Sequence, residues 1–118
     1  MTLLEPLREH LMREVFARAA ARDPELIAAV ERFGEGMQFV NGELRFTLPR
    51  LFAFVLADFE RTRREPIDTA LCDYKAFRRF LYQSQVNTEL RRLGAIVVVE
   101  RADDDHALSL YRLTRRPA

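Results

Sequence analysis

The sequence predicts a single α+β domain over residues 1–118, on three observations. Apolar residues recur at helical spacing through residues 4–33, 50–63 and 73–93; the period drops to two on either side of Asn41-Gly42; and two further strand-like runs follow Gly94. No repeat, low-complexity tract or linker-like stretch divides the chain. At 118 residues, 48% of them hydrophobic and 31% charged, the composition is that of a globular protein long enough to bury a core without disulfide or metal staples.

Leu4, Leu7, Leu11, Val15, Phe16 and Ala19 repeat at helical spacing, and Glu9/Arg13 and Glu14/Arg18 form i,i+4 pairs on the opposite side. Residues 4–21 therefore read as an amphipathic helix, with Pro6 in its first turn and His10 at the surface beside Glu9 and Glu14. Asp23-Pro24-Glu25 supplies an N-cap, a proline and a first-turn acid for a second helix that stops at Phe33-Gly34. So short a link joins the two as an antiparallel helical hairpin.

Met37 to Val40 and Glu43 to Leu48 alternate around Asn41-Gly42, a pair suited to a type I′ turn, so a β-hairpin is expected there. Pro49 opens the next helix, 50–63, whose Leu51, Phe52, Phe54, Val55, Leu56 and Phe59 make it the buried central helix. Arg61 to Pro66 reads as a loop. Ala95 to Arg101 and Ala107 to Leu113, separated by Ala102-Asp103-Asp104-Asp105-His106, form a second hairpin behind the helix-stopping Gly94.

Composition narrows the class. A single cysteine, Cys72, excludes an intramolecular disulfide, and with no apolar N-terminal leader in sight the expected compartment is the cytoplasm. The longest apolar run, Leu51 to Ala57, is far short of the ~20 residues of a membrane span, so no membrane partner is expected. The net charge of +1 conceals an asymmetry. Residues 1–60 hold seven Arg against ten acids, and residues 61–118 hold twelve cations against eight acids. Eighteen of the nineteen cations are arginine, a residue fitted to bidentate contacts with phosphate or carboxylate.

Catalytic and metal chemistry find no foothold. One Cys and two His offer no paired zinc spacing, Asp103 to His106 lacks the spaced oxygens and glycine of a calcium loop, and the four glycines sit at helix ends, connections and turns instead of in a phosphate loop. No nucleophile with a base can be placed by spacing. The expectation is a protein without catalytic residues, metal or cofactor. The phenylalanines fall at core positions.

The most informative stretch is Tyr82 to Gly94, YQSQVNTELRRLG. In one straight helix over 73–93, the stripe Tyr74, Phe77, Phe80 and Leu81 would share its face with Ser84, Gln85 and Thr88. A break at Gln83 to Gln85 removes the conflict: Ser84 caps a new helix in which Val86, Leu90 and Leu93 turn inward. This helix, turn and helix, followed by a hairpin closing on Tyr111-Arg112-Leu113-Thr114, resembles the recognition helix and wing of bacterial winged helix-turn-helix regulators. The resemblance covers residues 73–114, with 50–63 as a candidate first helix. It implies a small transcription regulator that binds duplex DNA, with Gln85, Asn87, Thr88 and Arg91 as base readers and Lys75, Arg78, Arg79, Arg92 and Arg101 as phosphate contacts. It also suits a homodimer formed through the N-terminal helices. The acidic would-be wing tip and the near-neutral chain depart from that pattern. The alternative is a non-catalytic interaction module, an adaptor or inhibitor, whose arginine face at 61–64 and 78–92 meets an acidic protein.

Overall fold

A computed structural model of the chain describes residues 4–34, 36–63, 74–82, 85–104 and 108–115. Helix α1 runs from Leu4–His10 through a π-helical segment, Leu11–Phe16, into Ala17–Ala20. The i→i+5 bonding of a π segment brings residues five apart onto one side, so Leu11 and Phe16 are both fully buried. At α-helical pitch they would project roughly 140° apart. Helix α2, Pro24–Phe33, begins at Asp23, whose carboxylate accepts from the Glu25 N–H at 2.9 Å and from Arg18 Nε at 2.8 Å. The Arg18 bond, then the backbone bond, hold Asp23 below the usual carboxylate range.

Strands β1, Met37–Val40, and β2, Glu43–Phe46, form the expected hairpin, with Asn41 (φ 53°) and Gly42 (φ 79°) both left-handed as a type I′ turn requires. Helix α3, Leu48–Arg63, starts two residues before the expected position and ends at the expected Arg63, so the loop read from Arg61 does not begin there. Helices α4, Tyr74–Tyr82, and α5, Gln85–Leu90, follow, and α5 tightens into a 3₁₀ turn, Arg91–Leu93, ended by Gly94 at φ 66°. The expected turn with its Ser84 cap lies outside the described residues.

Strands β3, Ala95–Arg101, and β4, Leu110–Arg115, complete an antiparallel sheet of order β1-β2-β4-β3. The pairing of β2 with β4, Leu44 opposite Leu113 and Phe46 opposite Tyr111, merges what read as two separate hairpins. Strand alternation places Met37, Leu44, Phe46, Ala95, Tyr111 and Leu113 on the buried face, where they pack with α1, α2, α3 and α5 residues into one core. Phe46 stacks on Tyr111 at 5.9 Å and packs against Phe16 at the same distance. The opposite face carries cross-strand ion pairs, Arg45 with Glu100 at 2.8 Å and Arg112 with Glu43 at 3.7 Å.

His10 is not at the surface: it is 8% exposed, and its Nε2–H donates to Asp58 Oδ2 on α3 at 2.7 Å. Asp58, 7% exposed, accepts from Arg61 Nη2 through its other oxygen at 2.6 Å, and the edge of the His10 ring meets Phe59 at 5.4 Å. Burial pushes the Asp58 carboxyl up, but the bonds from His10 and Arg61 outweigh it and hold the group below the ordinary range. A carboxyl with a depressed folded-state pKa adds stability above its unfolded value, and that stability is lost as pH falls through the folded value. Thermal stability is therefore expected to drop on acidification below about pH 4, the ordinary carboxylate range. Asp58→Ala, which leaves His10 and Arg61 without their acceptor, should cost about 3 kcal/mol at neutral pH and flatten this acid limb in urea titrations repeated across pH.

Candidate functional site

The residues singled out by the winged-helix resemblance gather around α4, α5 and the start of β3. Phe77 anchors α4 by packing on Phe52 at 5.0 Å, and Tyr74 meets the same ring at 5.3 Å. That leaves Lys75 and Arg79 exposed on the outer side, while Arg78 is half-buried with its guanidinium 5.9 Å from the Tyr74 ring. On α5, Val86 and Leu90 are fully buried, so Thr88, Glu89, Arg91 and Arg92 face outward. Arg101 is exposed at the end of β3. Arg79, Arg91, Arg92 and Arg101 have no ion-pair partner among the described residues.

Asn87, expected as a base reader, is committed to the fold. Its amide donates to the Val97 carbonyl at 3.1 Å and accepts from the Val97 N–H at 2.7 Å, so the side chain pairs with the edge strand β3 as a neighbouring strand would. It can meet an adenine edge only by giving up both bonds. The Gln85 side chain lies outside what is described; Thr88 and Arg91 are on the exposed side.

Helix α1 flanks α5. Arg8 Nη2 reaches Glu89 Oε1 at 3.4 Å, and Met12, Arg13 and Ala17 face Thr88, Arg92 and Leu93 across a groove of about 390 Å³. A B-DNA major groove is about 12 Å wide, about the diameter of one helix with its side chains. The Arg8 to Glu89 pair places α1 beside the flank of α5 that such a groove would have to admit. The would-be wing carries Asp103 and Asp104 exposed at its outer end. The Asp103 main chain is fastened there to the buried Ser109 hydroxyl, which accepts from its N–H at 3.0 Å and donates to its carbonyl at 3.4 Å. Acidic side chains are thus held where a wing would approach phosphate.

Among the described residues no three His, Cys, Asp or Glu side chains converge on a point where a metal ion could sit; Cys72, Asp105 and His106 lie outside them. No helix is long and apolar enough to cross a membrane. Compared with family models, with curated proteins and with solved structures, the chain gives no match.

Two features of the region escaped sequence reasoning, the clamp of Asn87 on β3 and the α1 wall beside α5. The first had a weak signal in hindsight: Asn87 lies one residue from the buried Val86, too close to the inward stripe to point fully outward. Asn87→Ala should lower stability by about 1 to 3 kcal/mol, because it strands the Val97 carbonyl and N–H at a partly buried edge. Hydrogen exchange should quicken selectively at the Val97 amide.

Proposed function

We propose that this chain is a non-catalytic interaction module, winged-helix-like in the order of its last five elements, which meets an acidic protein through the arginine-rich side of α4 and α5. The observation that carries the reading is a contrast within α5. The side chain best suited to read a base, Asn87, is tied to β3, whereas Arg91 and Arg92, with Arg79 on α4, stand exposed without a carboxylate partner among the described residues. Guanidinium groups left unpaired in the fold are set to take carboxylates from outside, in the bidentate geometry that distinguishes arginine from lysine.

A second reading, duplex DNA binding, is supported by the order helix, helix, hairpin and by the same cations together with Lys75 and Arg101. On that reading the contacts fall on backbone phosphates, since the flank of α5 is walled by α1 and Asn87 is engaged. Such binding is sequence-independent and steeply salt-dependent.

Lys75 is the chain's one lysine, so an amine-reactive crosslinker applied in extract of the producing cells labels, the α-amine apart, this side of the molecule. The expected product is a discrete crosslinked protein whose peptides at the junction are rich in Asp and Glu, lost in the double variant Arg79→Glu, Arg91→Glu. Fluorescence anisotropy with a random duplex of about 30 base pairs should give no binding at physiological salt. Tight duplex binding that weakens steeply with salt, with no protein crosslink, would replace this reading with the second.

A further inference from the structure

Leu93 is out of place for a residue expected to turn inward: it is 43% exposed, at the end of the 3₁₀ turn after α5. It lines two adjoining depressions. One is the 390 Å³ groove between α1 and α5. The other, of about 530 Å³, runs on past Ala20 and Gly94 to the Asn41-Gly42 turn. The two share Leu93, and with it Met12 and Ala17 of the first and Ala20 of the second give this two-part channel its apolar lining along α1.

The rim of this channel is basic. Arg92 stands on one side, and Arg22 and Arg115 stand toward the far end; none has an ion-pair partner among the described residues. The two carboxylates that reach the channel are already engaged: Glu89 with Arg8 at 3.4 Å, and Glu43 with Arg112 at 3.7 Å and the Thr114 hydroxyl. Arg22 is placed there by the fold. Its left-handed backbone (φ 56°) ends α1, and its guanidinium lies against Gly42, where a Cβ would come within 2.8 Å of Nε.

Resting on the interaction-module reading, we infer that this channel binds one amphipathic helix of the acidic partner, apolar side down on Met12, Ala17, Ala20 and Leu93, with Asp or Glu flanks on Arg22, Arg92 and Arg115. Alanines at positions 17 and 20 let a second helix approach α1 closely, and Leu93 supplies the apolar anchor that a groove-bound helix packs against. Duplex DNA satisfies the arginines but has no group for the Met12 and Leu93 floor. A second copy of this chain is opposed by charge: an isologous contact sets each patch on its own twin, so arginine rims would face arginine rims.

The probe is a fluorescein-labelled synthetic peptide of about 18 residues, roughly 27 Å as a helix, with leucines along one face and glutamates flanking them. Two controls have the glutamates replaced by lysines, or the same composition scrambled so that the leucine stripe is lost. With the full chain, anisotropy should show saturable binding of the acidic amphipathic peptide and none of either control. Amide shifts should centre on Met12, Ala17, Thr88 and Leu93. Leu93→Asp, at a half-exposed site the fold tolerates, should weaken binding by at least about tenfold, and Arg92→Glu with Arg115→Glu should do the same.

The channel assignment falls if the scrambled peptide binds as well, if Leu93→Asp changes nothing, or if a duplex displaces the peptide and shifts the same amides at physiological salt. Binding that maps to Arg79 and Arg91 instead would overturn the channel while leaving the interaction-module reading in place. No binding of the acidic peptide at any site, together with no crosslink at Lys75, overturns both.

Discussion

The buried contact between His10 and Asp58 is the constraint from which the arrangement of this molecule follows. A carboxylate at 7% exposure is tolerable only with its oxygens satisfied, and here one is bound by His10 from α1 and the other by Arg61 from α3 itself. Apolar packing alone would let α1 slide or rotate on α3 at little cost, since one aliphatic contact substitutes for another. A hydrogen bond of 2.7 Å between two buried groups allows one register. The π segment begins at the next residue, and it turns Leu11, Val15 and Phe16 together onto the core. Register and rotation of α1 are thus both set within one turn of His10.

With α1 held this way, its C-terminal alanines lie over β2 and β4 and its middle runs beside α5. The Arg8 to Glu89 pair, at 3.4 Å and partly exposed, adds little energy to that neighbourhood but marks how close the two helices are. Between them, α1 and α5 line a groove of about 390 Å³. Capturing β3 through Asn87 has a parallel effect on the sheet. An edge strand presents unpaired backbone groups to any passing strand, and a side-chain amide that occupies both groups of Val97 closes the middle of that edge. Strand addition at the middle of β3 would have to displace that amide first.

Local signals were legible and long-range ones were not. The Asp23-Pro24-Glu25 cap, the Asn41-Gly42 turn and the stop at Gly94 are all written within a few neighbouring residues, and each is found where expected. His10 was misplaced because the acids at Glu9 and Glu14 are its neighbours in sequence, whereas its true partner lies 48 residues away. The union of two hairpins into one sheet was hidden for the same reason, since nothing local to Leu44 names Leu113 as its partner. Leu108 and Ser109, expected within the last strand, precede it: β4 starts at Leu110, and Ser109 turns its hydroxyl onto the Asp103 main chain.

The candidate site divides along the same line. Exposed arginines on α4 and α5 could be read from the apolar stripe they avoid, and they are exposed. What a stripe cannot report is what stands beside a helix once the chain has folded, and that decides between a groove reader and a docking wall. Leu93 makes the point at a single residue. By spacing it belongs with Val86 and Leu90 on the inward face, but it is the last residue of the 3₁₀ turn that follows α5, next to the left-handed Gly94 where the chain turns into β3. Val86 and Leu90 stay buried while Leu93 emerges beside Ala17 of α1. A leucine expected in the core is thus an exposed apolar group beside Arg92, and a lone apolar group there does more for a helical partner than for a nucleic-acid backbone.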